Sequence, residues 1–291
     1  MKKHARWTAF PHPNERFHYS PAALKKTWNR LHLGDKEPYP SAQLLEKLCK
    51  TEPRVAASIP DFDSDFEALS ERTLEAWRHY HAGEFEQAAQ VGVSLGWFGQ
   101  AVANKATAIY ATYLERDPSI KLSLLRESME RAERAGELMP RHANSHYLYA
   151  YALGRHSQNS SVVQALAQGL AGKIKDALDR TLELEPAHAE AHTAVATYHA
   201  EIIDKVGSML GGLTYGASKD RALQHYEKAL TLHPHSAIAR IEYANGLLML
   251  FGKARLARAT ELYIEASKLE PCDAMERLDV ELAKSRLEED A

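Results

Sequence analysis

Fifteen histidines are the side chains best equipped for chemistry in this chain of 291 residues. His142 and His146 stand four apart, as do His188 and His192, and His225 is followed by His233 and His235. A spacing of four puts two imidazoles on one helical face. A zinc site needs three or four ligands, usually with a carboxylate or cysteine among them. No H-E-x-x-H occurs, and Cys272 has no histidine close in sequence. The expectation is no metal site, with histidines that pack, face water or sit in turns after prolines.

The phrase GGLTYGASK invites comparison with a phosphate loop. Gly211 and Gly216 have the spacing of G-x-x-x-x-G, but Ala217 and Ser218 stand where Lys and then Ser or Thr are required. The phrase also follows a helical pattern rather than a strand, so a helix-stopping turn is expected. No G-x-S-x-G marks a serine nucleophile. Glu183 and Glu185 form a carboxylate pair of the kind that arises freely among 39 acidic residues, and they read as a solvated helix end. A cofactor-binding βαβ unit would need strands, and β-branched runs here are short and embedded in helical periods. We therefore expect no catalytic residue, no cofactor and no enzyme.

Composition agrees with a globular chain. Hydrophobic residues make up 45% and charged residues 26%, enough apolar side chain for a core without staples. The net charge of -3 offers no surface built for nucleic acid. Cys49 and Cys272 are too few for a disulfide framework and are expected as free thiols. Lys2 and Lys3 are followed by no apolar run, and no stretch reaches eighteen apolar residues. The expectation is no secretory signal, no transmembrane segment and a cytoplasmic location.

These side chains hang on a helical framework. Residues 1–20 are polar and aromatic and read as an irregular arm. Ser20 and Pro21 can open a helix that places Leu24, Trp28 and Leu31 on one face, and Ser41 can cap a second helix. LGDKEPYPS between them is a turn-rich link, and Trp28 and Tyr39 are expected to cover the end of the first hairpin. From about Phe66 the prolines fall at similar places: Pro118, Pro140, Pro186, Pro234 and Pro271. LELEP, LTLHP and SKLEP each close a helical run. The spacings are 22, 46, 48 and 37 residues. A 34-residue unit would then carry insertions of about 12, 14 and 3 residues.

Within those units small and large residues recur. Ala222, Tyr226, Ala229 and Pro234 are repeated as Ala259, Tyr263, Ala266 and Pro271. Tyr243–Ala244, Val195–Ala196 and Tyr149–Ala150 supply a large residue followed by a small one. Ala76, Gly83, Phe85 and Ala88 mark an N-terminal unit. This resembles the tetratricopeptide repeat family, most clearly in the last two units and least over 97–140. Small residues let paired helices approach, and large ones fill the gap between hairpins. YHAEIIDKVGSMLGGLTYGASKD extends one first helix to roughly 189–209, with Gly211 and Gly212 expected to end it and a loop to Ser218. The long helix and glycine loop, followed by ALQHYEKAL, resemble the regulator-of-microtubule-dynamics proteins and their bacterial relatives. They are also similar to the soluble tetratricopeptide component of some substrate-importing transporters.

The resemblance implies an all-α fold, an alpha-alpha superhelix of helical hairpins with long inserted helix and loop segments. Residues 1–65 are expected as an arm and short helical cap, and 66–291 as the repeat domain. It implies a protein- or peptide-binding scaffold, or alternatively a small-molecule-binding repeat protein like the transporter component. By repeat position the concave face would carry Asn144, Tyr147, Tyr151, Thr193, Thr197, Ile241, Asn245 and Leu248. Tyr and Asn can grip an extended segment through area and polar contacts.

Overall fold

The structure is a computed structural model that describes residues 6–57, 64–158 and 169–289. Among them every regular element is a helix and no strand occurs. The chain divides into two compact units. The first comprises Met1–Arg30 and Glu37–Ser160, and the second Leu31–Lys36 and Ser161–Ala291.

In the first unit α1 (Pro21–Leu31), α2 (Ala42–Thr51) and α3 (Pro53–Ala56) precede two hairpins. These are α4 (Phe66–His81) with α5 (Phe85–Ser94), and α6 (Gln100–Tyr113) with α7 (Pro118–Leu138). Helix α8 (Ala143–Gln158) packs on α7. Ser20 and Ser41 cap α1 and α2, accepting the Ala23 and Leu44 amides, each at 3.3 Å. Asp117 caps α7 through the Ser119 and Ile120 amides. Its carboxyl is held below the usual range, first by the Ser119 hydroxyl and then by those amides. Gly83, with φ at 83°, turns α4 into α5, and Ala76, Ala88 and Phe85 are buried where the two helices meet.

The second unit holds α9 (Leu170–Leu184), α10 (Ala189–Val206), α11 (Ser208–Tyr215), α12 (Lys219–Leu232), α13 (Ala237–Phe251), α14 (Leu256–Ser267) and α15 (Ala274–Glu289). The proline turns do double duty. Two residues beyond Pro186, Pro234 and Pro271 stand His188, Ser236 and Asp273. Their side chains accept the amides of Ala191, Ala239 and Glu276 at 3.0, 3.1 and 2.8 Å. Each such cap satisfies an orphan donor and contributes about 1 kcal/mol.

Helix pairing follows the small residues. Ala222, Ala229, Ala259 and Ala266 are completely buried, as are Ala196 and Ala244 on the facing first helices. At Gly246 a Cβ would stand 2.5 Å from Tyr226 Oη, so only glycine lets α13 accept that ring. Tyr226 in turn stacks on Tyr243 with ring centroids 4.8 Å apart. Val280 and Ala283 of α15 close the apolar cluster built on Ile241, Leu247, Leu262 and Tyr263.

The larger insertion differs from the sequence expectation. The long first helix stops at Val206, because Gly207 adopts φ 83°. Gly211 and Gly212 do not end a helix; they lie inside α11, which Gly216 terminates in the left-handed region. The physical reason is packing. A Cβ on Gly211 would come within 3.2 Å of Ile202 Cγ2, so the glycine lets the short helix lie close to α10. The opposite side of α11 leaves Met209, Leu210 and Leu213 exposed. The insertion between Pro140 and Pro186 is expected near residues 154–170, of which 159–168 lie outside the described residues.

Candidate functional site

In the first unit, the faces of α4, α6 and α8 are met by residues 7–30 and 37–40 of the same chain. The Trp7 ring stacks on Tyr110 of α6 at 4.2 Å, and the Thr8 amide donates to Tyr110 Oη at 3.0 Å. Phe10 meets Phe85 edge-on, and Asn14 Nδ2 donates to the Ala82 carbonyl at 2.7 Å. Trp28 is buried against Trp77 of α4 and Tyr39, and its Nε1 donates to the Glu37 carbonyl at 2.8 Å. Ser70 Oγ of α4 donates to the Pro40 carbonyl at 2.6 Å. Asn144 Nδ2 of α8 donates to the Glu37 carboxylate at 2.6 Å, and His142 Nε2 lies 3.6 Å from the same oxygen.

Asn144 is thus buried and bound within the chain. Tyr147 is buried beside Tyr151, with centroids 6.2 Å apart. Tyr151 remains half-buried, donates to Thr112 Oγ1 at 3.4 Å, and carries the Arg155 guanidinium over its ring. No periodic cue in the sequence marks these contacts. The segment LGDKEPYPS is irregular, and its partners lie up to 107 residues away.

The second unit holds the other five expected positions. Thr193 is buried and donates to its own helix at the Ala189 carbonyl. Ile241 is a core residue, and Leu248 is half-buried on the same cluster. Thr197 and Asn245 follow Val195–Ala196 and Tyr243–Ala244 and so share a repeat position. Each meets the tyrosine of its own hairpin. Thr197 Oγ1 and Tyr226 Oη share a hydrogen bond of 3.1 Å, and Tyr263 donates to Asn245 Oδ1 at 2.6 Å.

A pocket of about 220 Å³ opens between α9, α10 and α12. It is lined by Lys175, Asp179, Tyr198, His199, Arg221 and His225 above an apolar floor of Leu178 and Val195. Lys175 pairs with Asp179 one turn along α9. The imidazoles form a chain whose proton positions follow from the partners. His192 Nε2 lies 3.1 Å from the Pro186 carbonyl, which can only accept, so Nε2 carries the proton. His192 Nδ1 then accepts from His225 Nδ1 at 2.8 Å. Neutral His225 consequently keeps its lone pair on Nε2. His199 is 3% exposed, and its Nδ1 has no hydrogen-bond partner among the described residues. Burial pushes the pKa of both His199 and His225 down to about 4, with a neighbouring histidine and Arg221 acting in the same direction. Burial also pushes the Tyr198 phenol up to about 12.

Sequence spacing singles out His192 but pairs it with His188. His188 caps α10, whereas His192 lies seven residues from His199, two helical turns along the same face. That i, i+7 pair is legible in the sequence; the contribution of His225 from the facing helix is not. Among the described residues no group of three or more His, Cys, Asp or Glu is placed to hold a metal ion. No described helix is long and apolar enough to cross a membrane.

The sequence profile of the family described as regulator of microtubule dynamics protein 1-3 matches residues 99–288. The chain belongs to that family. A solved structure of a thermophilic tetratricopeptide-repeat protein from Thermus thermophilus superposes with a TM-score of 0.53 at 15% identity. The match covers 75% of this chain and 99% of that one, and it shows the shared helical-repeat fold. No curated protein sequence matches the chain. The segment common to the regulator of microtubule dynamics family takes in α6 to α15, and hence the histidine pocket. The arm that begins at Trp7 lies before it.

Proposed function

We propose that the protein is a non-catalytic scaffold that binds an extended segment of a partner protein along its first helices. One observation carries this reading. In the first unit, first helices already hold an irregular stretch of chain. Ser70 takes a backbone carbonyl and Asn144 takes a carboxylate, the contacts a peptide ligand would receive. Aromatic anchors supply the buried area, Trp28 on Trp77 and Trp7 on Tyr110. The family membership and the shared repeat fold support the same reading by analogy.

On this reading the partner-facing residues of the first unit are Asn144, Tyr147 and Tyr151. In the second unit they are Thr193, Thr197, Ile241, Asn245 and Leu248. Tyr151, Thr197, Asn245 and Leu248 keep accessible surface, while the others support them from beneath. Asn245 Oδ1 is taken by Tyr263, which leaves the amide donors of Asn245 for a partner carbonyl.

The test begins with affinity capture from native cell lysate on the full chain, followed by titration of the purified partner. Tyr151→Ala and Asn245→Ala, each shown to be folded by circular dichroism, are compared with the parent. At least one should lose more than about 1 kcal/mol of binding. Two folded variants that bind like the parent would remove the first-helix assignment.

A further inference from the structure

We propose that the pocket between α9, α10 and α12 is a binding site for a single carboxylate group, received by Arg221 together with His225 and His199. None of these residues takes part in the scaffold reading, so the two stand or fall separately.

Charge points to an anion. The lining holds two cations and one carboxylate, and that carboxylate is already paired with Lys175. Arg221 has no ion-pair partner among the described residues. One uncompensated positive charge matches one monoanion. A guanidinium receives a carboxylate with two parallel hydrogen bonds, a geometry that a lysine cannot reproduce.

Orphaned polarity points to a ligand from outside the chain. His199 is almost wholly buried, yet its Nδ1 finds no hydrogen-bond partner among the described residues. Buried polar atoms are normally satisfied, so one left over beside a cavity asks for a group that the chain does not supply. The imidazole chain adds a second donor. The Pro186 carbonyl fixes His192, and His192 fixes His225, so a proton added to this pair goes to His225 Nε2. Protonated there, His225 would donate to a bound carboxylate while still donating to His192.

Size sets the ligand class. At about 220 Å³ the pocket is smaller than those of typical organic ligands, which run about 300–1,000 Å³. It suits one small acid, or the acidic end of a larger chain, with Leu178 and Val195 beneath its carbon atoms. Titratable groups act on the cluster from three of the helices packed around it. These are Lys175, Asp176 and Asp179 from α9, Tyr215 from the end of α11, and Arg221 and Lys228 from α12. Asp179 acts on His199 and His225 as well as on Tyr198, but its carboxylate is paired with Lys175, so the cation without an ion-pair partner among the described residues is Arg221.

The test is nuclear magnetic resonance of the imidazole nitrogens in the full-length protein. The probes are sodium acetate, a short N-acetylated alanine peptide with a free C-terminus, its amidated form, inorganic phosphate, and chloride at matched ionic strength. Acetate or the free-acid peptide should move His199 and His225 saturably, and should raise the protonation midpoint of His225 by at least about one pH unit. Saturation by the free-acid peptide at lower concentration than acetate assigns the carboxylate to a protein terminus or side chain. Equal or tighter binding of acetate assigns it to a small acid. The Arg221→Gln variant, altered at an exposed position, should bind at least about tenfold more weakly. Lys228→Gln should bind like the parent. Three results would overturn the proposal: no saturable movement with either carboxylate, the same movement with chloride or with phosphate alone, or unchanged binding in folded Arg221→Gln.

Discussion

The two units use the same helical grammar and leave different surfaces. In the first, first helices are covered by the N-terminal arm and the link after α1, through Trp7, Trp28 and Glu37. In the second, Thr197 and Asn245 of the first helices meet tyrosines of their own hairpins, and a pocket between α9, α10 and α12 holds two neutral imidazoles and a guanidinium with no ion-pair partner among the described residues. A repeat array can therefore cover its first helices for stability in one half and leave part of them accessible in the other. The distinction is local, since each surface is built within its own unit.

The largest expected effect tests the covered surface. Trp28 is 3% exposed and ties α1 to Trp77, Tyr39 and Glu37. Trp28→Ala should cost the first unit about 3–5 kcal/mol, through lost transfer energy and the cavity left behind. Hydrogen exchange should show the loss in α1, α4 and residues 37–40. Protection in α13 and α14 should be unchanged. A uniform loss in both units would erase the contrast between them.

The second effect tests the open surface. His199 and His225 have folded pKa values near 4, against an ordinary 6.5. Between those values the unfolded chain binds more protons than the native one. Stability contributed by neutral burial is complete above about pH 6.5 and is lost as pH falls toward 4. From pH 7 to pH 5 the parent should lose about 2–4 kcal/mol more than a His199→Asn/His225→Asn double variant. Equal acid sensitivity, measured by denaturant midpoints, would mean that these imidazoles are not held neutral. Saturating carboxylate should shrink the difference, because it favours the protonated form.

Much of the fold is legible in the sequence because it is periodic. The Ala-Tyr-Ala-Pro sets locate α12 and α14, and Pro with a polar residue two places on locates the starts of α10, α13 and α15. The insertion misleads for a physical reason. Gly211 and Gly212 look like helix stops, but close approach to Ile202 is equally a reason for glycine, and sequence alone does not separate the two. The site is less legible. Asn144 falls on the expected helix, yet its partner, Glu37, lies in an aperiodic link. His192 stands out by its spacing, while the residues that complete its chain come from another turn and another helix. Long-range pairing of irregular segments leaves no mark in spacing.

A smaller effect tests whether the small-residue register is what lets the second unit form. Ala229 is completely buried on α12, and its neighbour Lys228 is exposed. Ala229→Leu should overpack the crossing with α10 and cost about 1–3 kcal/mol. Lys228→Leu should change stability by less than about 0.5 kcal/mol. Equal midpoints for Ala229→Leu and the parent would shift the register of the whole repeat.

The smallest effect separates two hydrogen bonds that occupy the same repeat position. Tyr226 is 1% exposed, and its phenol is pushed well above the usual range by burial and then by Glu242. Its hydroxyl meets Thr197 in a crossing so tight that Gly246 has no room for a methyl. Tyr226→Phe leaves the Thr197 hydroxyl without its partner beside a buried ring and should cost about 1–1.5 kcal/mol. Tyr263→Phe leaves Asn245 Oδ1 on a half-buried side chain, where water can replace the phenol, and should cost about 0.5 kcal/mol. The pair also divides structure from binding. If Asn245 meets a partner through its amide donors, Tyr263→Phe keeps those donors and should preserve partner affinity, whereas Asn245→Ala should not. Loss of affinity in both variants, with both folded, would assign Asn245 a role in holding α14 rather than in recognition.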